Sequence, residues 1–291
     1  MKFTRQLLLT ILLLSAVCLR GTAETPPDIV SLSPALTELL CFLGGGDRLA
    51  GRSGGCNYPD SVKDLPVIGA LATPDLERVA RSGAKLLLAD NLRHAGIRKS
   101  LTGMGVEVLP LPLVRLPDYP AAVTALGNRI GAADRAAAEV ERFNRFVTER
   151  RRNRPDHALK VLFVVWHDPV IAAGGNTFAG DYIELAGGWS VSAGIKREYF
   201  RPSPEWVVRH DPDLIIYPGG HGVAAGALPA YWQDLRAVRN GDLYRPEDAD
   251  LYFRLSPRFD RAVTGLEKIL QTCRQRRAAA ASDQTKPDTE P

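Results

Sequence analysis

The sequence predicts an α/β protein of two lobes, each a small parallel sheet wrapped by helices, joined by a single long rigid helix. The first observation is a repeat: residues 76–81 and 204–209 place Glu, Val and Arg at the same spacing ahead of an apolar triplet. The second is that short apolar runs alternate with helical patterns in both halves, which is typical of parallel sheets covered on both faces. The third is a long Ala-rich stretch between the halves with no strand signal. Two lobes leave a cleft between them, where such proteins commonly bind a ligand.

The N-terminal residues 1–23 have the pattern of a secretory signal peptide. Lys2 and Arg5 precede an apolar run over residues 7–19, and small residues at 21–23 suit cleavage. The apolar run is shorter than the roughly 20 residues that span a bilayer. We therefore expect an exported protein whose signal peptide is cleaved.

Cys18 leaves a lipid anchor as the alternative, because a lipidated Cys would stand at the end of the apolar run. The preceding Ser15-Ala16-Val17 lacks the Leu usually found three positions earlier, so cleavage without a lipid is favoured. The formal charge of the chain is +4, and basic residues leave with the signal peptide. The exported chain is close to neutral, which gives no support to nucleic acid as a partner.

Three cysteines, Cys41, Cys56 and Cys273, remain in the exported chain. An odd number leaves at least one free thiol. Cys41 and Cys56 could form a disulfide in an oxidising compartment, or they could be two small buried residues. The sequence alone does not decide between these alternatives.

Residues 24–130 are predicted as the N-terminal lobe. The lobe begins with a strand over 28–32, and Ser33-Pro34 is a start signal for a helix over 35–43 whose leucines share one face. Further strands are predicted at 48–52, 85–89 and 106–111, and further helices at 75–81 and 94–104.

Residues 131–155 are predicted as the bridging helix, the last part of an unbroken helical stretch that begins at Tyr119. Val140, Phe143 and Val147 recur at helical spacing, and a run of arginines near the end suits the negative pole of the helix dipole. A helix of about 20 residues is about 30 Å long. Such a helix would connect the lobes as a stiff spine.

Residues 156–273 are predicted as the C-terminal lobe and residues 274–291 as a disordered tail. The tail is first Ala-rich and then polar, with prolines. In the lobe, strands are predicted at 160–166, 214–217 and 243–244, and helices at 181–186, 204–209 and 258–273.

An ordered series of short motifs runs through both halves of the chain. The first half contains Ser31-Leu32-Ser33-Pro34, Thr37-Glu38, Gly46-Asp47-Arg48, Asn57-Tyr58-Pro59, Leu65-Pro66 and Asp75-Leu76-Glu77. The second half contains Gly174-Gly175-Asn176-Thr177-Phe178, Glu184-Leu185-Ala186-Gly187-Gly188 and Ser256-Pro257-Arg258. Together, over residues 28–272, they resemble the periplasmic cobalamin- and ferric-siderophore-binding proteins of ABC importers.

The resemblance implies two lobes joined by one rigid helix, with the ligand held between them. It implies a monomeric substrate-binding protein that captures a metal chelate and delivers it to an ABC permease in the inner membrane. The chelate would be cobalamin or another corrinoid, a ferric siderophore or haem. No catalytic residue and no resident cofactor are implied.

The resemblance also gives a role to the repeated Glu. Members of the family dock on Arg residues of the permease through one exposed Glu on each lobe, and the matching residues are Glu77 and Glu205. Two such carboxylates could accept charge-assisted contacts from Arg and fix the orientation of the docked protein. The alternative is that both are first-turn residues favoured by the helix dipole.

The cleft loops of the family match positions that imply Tyr58, Trp166, Tyr199, Asp250 and Arg254 as ligand contacts. The aromatic rings would supply flat apolar area, and Arg254 would pair with an anionic group of the ligand. The alternatives are a core position for Trp166 and a surface ion pair between Asp250 and Arg254. The matching loops of the N-terminal lobe carry small, aliphatic or acidic residues where a cobalamin binder would show Tyr or Trp.

No residue is expected to bind a metal directly. His167 beside Asp168 is the strongest alternative and His221 the next, but the five His residues show no HxH or HExxH spacing.

An exported serine esterase is the competing enzyme hypothesis, because Ser53 lies in a G-R-S-G-G pattern after a predicted strand. The segment after Gly55 does not start a helix, as a nucleophile elbow requires. We therefore expect a binding protein and not an enzyme, with a ligand sensor that does not transport as a further alternative.

Overall fold

The computed structural model describes residues 26–71, 73–90, 95–153, 155, 158–217 and 229–284, which form two separate six-stranded sheets. The N-terminal sheet has the order β4-β3-β2-β1-β5-β6, parallel except for the edge strand β4. Its strands are β1 (Ile29–Ser31), β2 (Leu49–Ser53), β3 (Val67–Ala70), β4 (Thr73–Pro74), β5 (Leu86–Ala89) and β6 (Glu107–Pro110). Its helices are α1 (Pro34–Phe42), α2 (Leu76–Arg81) and α3 (Ala95–Gly103).

Two further helices, α4 (Asp118–Ile130) and α5 (Ala133–Arg152), lead to the C-terminal sheet. That sheet has the order β10-β8-β7-β11-β12, with β9 paired to β7. Its strands are β7 (Leu159–His167), β8 (Val170–Ala173), β9 (Gly188–Ser190), β10 (Tyr199–Phe200), β11 (Leu214–Ile216) and β12 (Leu243–Tyr244). The helices are α6 (Phe178–Leu185), α7 (Pro204–His210), α8 (Arg236–Arg239), α9 (Ala249–Tyr252) and α10 (Phe259–Gln284). The predicted α/β class with two mostly parallel sheets is confirmed.

Alternate residues of the central strands enter different apolar layers, because successive side chains of a strand point to opposite faces. In β1, Ile29 belongs to a central cluster, whereas Val30 belongs to an outer cluster with Val79 of α2. In β7, Val161 belongs to the central cluster and Leu162 to a separate outer one. Both sheets are therefore covered on both faces.

The central cluster is continuous across the two lobes. It is defined by the buried apolar residues of both sheets together with those of helices α1, α4, α5, α6 and α10. At its middle, the ring of Phe143 in α5 lies 4.9 Å from Tyr119 and 4.9 Å from Phe259, measured between ring centroids. The Tyr119 hydroxyl donates a 2.7 Å hydrogen bond to the buried carboxylate of Glu139. One apolar core therefore joins the lobes.

Helix α5 is 20 residues long and lies within the stretch predicted as the bridging helix. The helical stretch predicted from Tyr119 is not continuous, because α4 ends at Gly131 in the left-handed conformation, with φ of 75°. Glycine adopts that conformation without the steric cost other residues incur. The break lets α5 fold back against α4.

Helix α10 continues past Cys273 to Gln284, so the predicted disordered tail is wrong for residues 274–284. The extension is held by arginines that reach the C-terminal sheet. Arg274 donates to the Gly187 carbonyl at 2.7 Å, and Arg277 donates to the Asp213 carbonyl at 2.8 Å. Residues 285–291 lie outside the described residues.

The predicted signal peptide, including Cys18, also lies outside the described residues. Within the part of the chain that the structure describes, no helix is both long and apolar enough to cross a membrane. Cys41, Cys56 and Cys273 are free thiols, so the alternative of a Cys41–Cys56 disulfide is not adopted.

Candidate functional site

Loops at the carboxyl ends of the parallel strands bring the two lobes into contact, and ligands commonly bind at such ends in α/β sheets. After β2, Asn57 donates a 2.6 Å hydrogen bond to Asp250 of the C-terminal lobe. We call the space bordered by these loops the cleft. On the N-terminal side, the loops that follow β2, β3 and β5 carry Gly54, the exposed Leu71 and Asp90.

Trp166 lies near the end of β7, on the C-terminal side of the cleft. Its side chain is 50% exposed, so the alternative of a core position is excluded. The indole Nε1 donates a 2.8 Å hydrogen bond to the Asp168 carbonyl, which fixes the ring's polar edge and leaves much of its apolar surface open. The ring of His167 lies beside it, 5.4 Å away between centroids.

Tyr199 begins β10, which is separated from β7 by β8. It is 51% exposed. Partial removal from water raises the pKa of its phenol, and the negative charges of Glu198 and Asp90 raise it further. Because Asp90 belongs to the N-terminal lobe, Tyr199 lies within electrostatic reach of the opposite wall. The structure therefore places Trp166 and Tyr199 on the same sheet, both with open aromatic surface.

A buried charge cluster ties the lobes together beside the cleft, and sequence reasoning missed its central residue. Glu38 of α1 is 3% exposed. Its carboxylate accepts hydrogen bonds from Arg254 at 2.9 Å and from Arg258 at 2.8 and 2.9 Å. The available signal was an acidic residue in the middle of a mostly apolar helix, because a buried carboxylate requires a paired cation.

Arg254 was expected to offer its guanidinium to an anionic ligand, but it is bonded within the protein. Besides Glu38, it donates to the Asn57 side chain at 2.9 Å and to the Gly55 carbonyl at 3.1 Å. It also forms a 2.9 Å ion pair with Asp250. The alternative of an ion pair between Asp250 and Arg254 is therefore present, as part of a contact between the lobes and not as an isolated surface pair.

Tyr58 is not grouped with the other two aromatic residues. Its ring stacks on the Arg258 guanidinium, whose carbon lies 4.0 Å from the ring centroid. Tyr58 lines a groove with Phe42 of α1, and neither Trp166 nor Tyr199 lines that groove. The structure thus separates Tyr58 from the exposed pair on the C-terminal sheet.

Glu77 and Glu205 occupy equivalent places in the two lobes. Each is the second residue of a short helix whose N-cap side chain, Asp75 or Ser203, accepts backbone hydrogen bonds from the first turn. Each helix leads into a central strand, β5 or β11. Both carboxylates are exposed.

The two carboxylates differ in their partners. Glu77 forms a 3.0 Å ion pair with Arg81, one turn later in α2. Glu205 has no ion pair with a described residue, although Arg209 stands at the same spacing. A hydrogen bond from Ser203 and then a backbone N–H lower the pKa of Glu205. Glu205 therefore presents an ionised carboxylate that forms no ion pair with the part of the chain that the structure describes.

Ser53 is buried and cannot act as the nucleophile of an esterase. Its hydroxyl lies 3.2 Å from the Cys56 thiol, and its side chain is fully removed from solvent. No α-helix follows within the next twenty residues of the described chain. The G-R-S-G-G pattern is the end of a strand and not a nucleophile elbow.

No group of three or more potential metal ligands occurs among the residues that the structure describes. His210 is engaged by the Trp206 carbonyl at 2.7 Å, and the two rings stack. His221, the second histidine considered for a metal, lies outside the described residues.

Residues 29–248 match the model of a family described as periplasmic binding protein. An uncharacterized ABC transporter substrate-binding lipoprotein of Bacillus subtilis is 25% identical over 258 residues, which cover 86% of this chain and 80% of that protein. A vitamin B12-binding protein of Yersinia pestis is 24% identical over 226 residues, covering 76% of this chain and 79% of that protein.

Solved structures show the same fold. A periplasmic heme-binding protein from Roseiflexus in its apo form superposes with a TM-score of 0.77 at 23% identity, covering 86% of this chain and 99% of that chain. A periplasmic vitamin B12 binding protein of Vibrio cholerae superposes with a TM-score of 0.71 at 23% identity, covering 86% and 98%.

Proposed function

We propose that this chain, which belongs to the periplasmic binding protein family, captures a metal chelate between its two lobes. The chelate is cobalamin or another corrinoid, a ferric siderophore or haem. The family resemblance drawn from the sequence motifs is confirmed, and the chain is a substrate-binding protein and not an enzyme.

The pair of exposed aromatic residues Trp166 and Tyr199 carries this proposal. Half of each side chain is open to solvent, although both residues stand on strands of the C-terminal sheet. Exposed apolar surface can mark a ligand-binding site, and aromatic rings supply large contact areas to a ligand. A macrocycle or an aromatic chelator presents a flat apolar face that such rings can cover. Relatives named for vitamin B12 and for heme bind ligands of this kind.

Open space on the N-terminal side of the cleft supports the proposal of a bulky ligand. Gly54 has no atom within 4 Å of the place where a side chain would begin, and Leu71 is exposed. Asp90 brings a carboxylate, held by a 2.9 Å hydrogen bond from Ser33. This wall could contact polar or cationic groups at the edge of the ligand, while the opposite wall covers its face.

The ligand class is tested by purifying the protein from its native host and recording its absorption spectrum and native mass. A corrin, a haem and a ferric siderophore each have distinct absorption bands and masses. The proposal predicts one of these. A bound sugar, amino acid or free metal ion without a chelator would contradict it.

For delivery, we propose that Glu77 and Glu205 dock the loaded protein on Arg residues of an ABC permease. Their equivalent places on the two lobes and their exposure support a matched pair of contacts. Charge pairs of this kind set the orientation and rate of encounter more than the affinity. Glu77→Ala combined with Glu205→Ala should leave ligand affinity unchanged while uptake falls. Loss of ligand affinity in the double variant would instead assign both residues to the cleft.

The proposed location is the periplasm, with the protein acting as a monomer. The mass of the exported protein distinguishes the two N-terminal alternatives, because cleavage after residue 23 and lipidation of Cys18 give different mature chains. Sedimentation of the purified protein tests the monomer.

A further inference from the structure

A second concave surface lies between the lobes, and neither Trp166 nor Tyr199 of the cleft lines it. It is a groove of about 480 Å³. Helix α1 supplies Phe42, the turn after β2 supplies Tyr58 and helix α5 supplies Arg142. Arg258 lies directly before α10, and the first turn of α10 supplies Asp260 and Arg261. Its volume falls in the range of pockets that bind small molecules.

Two aromatic side chains line the groove without being buried. Phe42 is 49% exposed and Tyr58 is 39% exposed. Each ring has a guanidinium over it, that of Arg142 at 5.7 Å from Phe42 and that of Arg258 at 4.0 Å from Tyr58. These contacts hold the rings in place and leave their remaining surface open to an occupant.

Among the described residues, two of the three arginines that line the groove form ion pairs and one does not. Arg142 is bonded to Glu139 and to Asp260, each at 2.7 Å. Arg258 is bonded to Glu38 and Asp248. Arg261 forms no ion pair with any residue that the structure describes. An anion in the groove would therefore meet a guanidinium that no described residue neutralises.

We infer that this groove binds a small aromatic carboxylate, with the ring against Phe42 and Tyr58 and the carboxylate at Arg261. A planar ring matches the two aromatic walls, and a guanidinium can hold a carboxylate through two parallel hydrogen bonds. The site is additional to the cleft ligand, because none of its lining residues belongs to the Trp166 and Tyr199 surface. The inference does not rest on the identity of the cleft ligand.

Occupancy of the groove would stabilise the observed arrangement of the lobes. Phe42 and Tyr58 belong to the N-terminal lobe, whereas Arg258 and Arg261 belong to the C-terminal lobe. A molecule that binds only when both sides are in place favours the folded arrangement by mass action. The groove is thus a place where a second small molecule can affect a protein whose main ligand lies elsewhere.

The test uses naphthalene-2-carboxylate and its neutral analogue, naphthalene-2-carboxamide, in calorimetric titrations of the purified protein. The carboxylate should bind several-fold more tightly than the amide, because only the carboxylate pairs with the free guanidinium. Phe42→Ser should weaken both ligands. Arg261→Gln should bring the affinity of the carboxylate down to that of the amide. Both substitutions fall on exposed side chains, so the fold should persist.

Trp166→Ala is the matched control, because it removes an exposed aromatic residue from the cleft and should leave both affinities unchanged. If Trp166→Ala abolishes binding while Phe42→Ser does not, the carboxylate binds in the cleft and the inference is overturned. Equal affinities of the two ligands for the unmodified protein would also overturn it. So would a dimer in sedimentation that Phe42→Ser converts to a monomer, because a second copy would then fill the groove.

Discussion

Glu38 and Arg258, separated by 220 positions in the chain, are joined across the lobes by two hydrogen bonds of 2.8 and 2.9 Å. The same carboxylate holds Arg254. Burial works to lower the pKa of the Arg258 guanidinium, but Glu38 and then Asp248 outweigh it and the pKa is raised. The three residues act as one buried unit in which each charge depends on the others.

Glu38→Gln should destabilise the protein strongly. It leaves two buried guanidiniums facing a neutral amide, and breaking a buried ion pair typically costs about 3–5 kcal/mol. Urea unfolding followed by circular dichroism measures the change. Glu141→Gln is the control, because Glu141 pairs with Arg145 on the exposed face of α5 and should have little measurable effect. Equal stability of the two variants would show that the cluster does not hold the lobes together.

Trp166→Ala should weaken binding of the chelate by roughly tenfold or more, as expected for a central aromatic contact. The measurement is an absorbance titration with haemin or cyanocobalamin, chosen by the spectrum of the native protein. Trp189→Ala provides a matched control. Trp189 is also exposed, but β9 pairs with the first part of β7, at the opposite end from Trp166. A loss of affinity in both variants would point to a general change in the C-terminal sheet.

The two docking carboxylates should contribute unequally. Glu77 must give up Arg81 before it accepts an Arg from the permease, whereas Glu205 is free of such a partner among the described residues. Glu205→Ala should therefore reduce binding to the purified permease more than Glu77→Ala does. Arg81→Ala should increase binding by about twofold, the size expected for an exposed pair one turn apart on a helix.

Arg209→Ala is the control for Arg81→Ala, since it removes the equivalent cation from the other lobe and should change little. Because the pKa of Glu205 is lowered, its carboxylate stays charged as the pH falls through the range in which Glu is usually protonated. Its contribution to docking should persist in a mildly acidic periplasm. A larger loss for Glu77→Ala than for Glu205→Ala would contradict the ranking.

Cys41 should react slowly with iodoacetamide at neutral pH. Removal from water, and then the charges of Glu38 and Asp47, raise the pKa of its thiol to about 11. Only the thiolate reacts, so the alkylation rate should rise about tenfold for each pH unit up to that pKa. In denaturant, Cys41, Cys56 and Cys273 should all react as ordinary thiols. Fewer than three reactive thiols there would show that a disulfide had formed.

Ligand binding should cause little change in overall dimensions. Besides the charge cluster, Arg115 binds Asp181 of α6 through two hydrogen bonds of 2.9 and 3.0 Å, and Phe178 donates its backbone N–H to Val114 at 2.7 Å. Small-angle scattering with and without haemin or cyanocobalamin should show no compaction beyond about 1 Å in radius of gyration, as in other preorganised complexes. A large compaction would indicate hinge closure.

Much of the fold could be predicted because its signals are local. The spacing of Phe143 and Val147 predicts α5, and the apolar runs predict the central strands. The short strands β3, β4, β8, β9 and β10 were not predicted, because two to four residues carry little periodicity. The extension of α10 depends on contacts of Arg274 and Arg277 with distant parts of the sheet, which composition does not reveal.

The candidate site could also be predicted only in part from the sequence. Trp166 and Tyr199 were predicted as ligand contacts by motif position; the structure leaves both rings open, and their contact with a ligand stays a prediction. Arg254 was predicted as a ligand contact, but its partners Glu38 and Asn57 lie in the other lobe. The sequence shows that a cation is present, but it does not show which anion pairs with that cation in the folded protein. The pairing of Arg254 with Glu38, 216 positions earlier in the chain, is visible only in the folded structure.

The continuous central cluster also limits how this protein can be taken apart. Because α1, α5 and α10 bury their apolar faces against one another, neither half of the chain carries a complete interior of its own. A chimera that joined the first half to the second half of a relative would have to match those faces as well as the cleft. Engineers who wish to change the cargo should therefore graft loops onto the intact scaffold, and should not exchange lobes as modules.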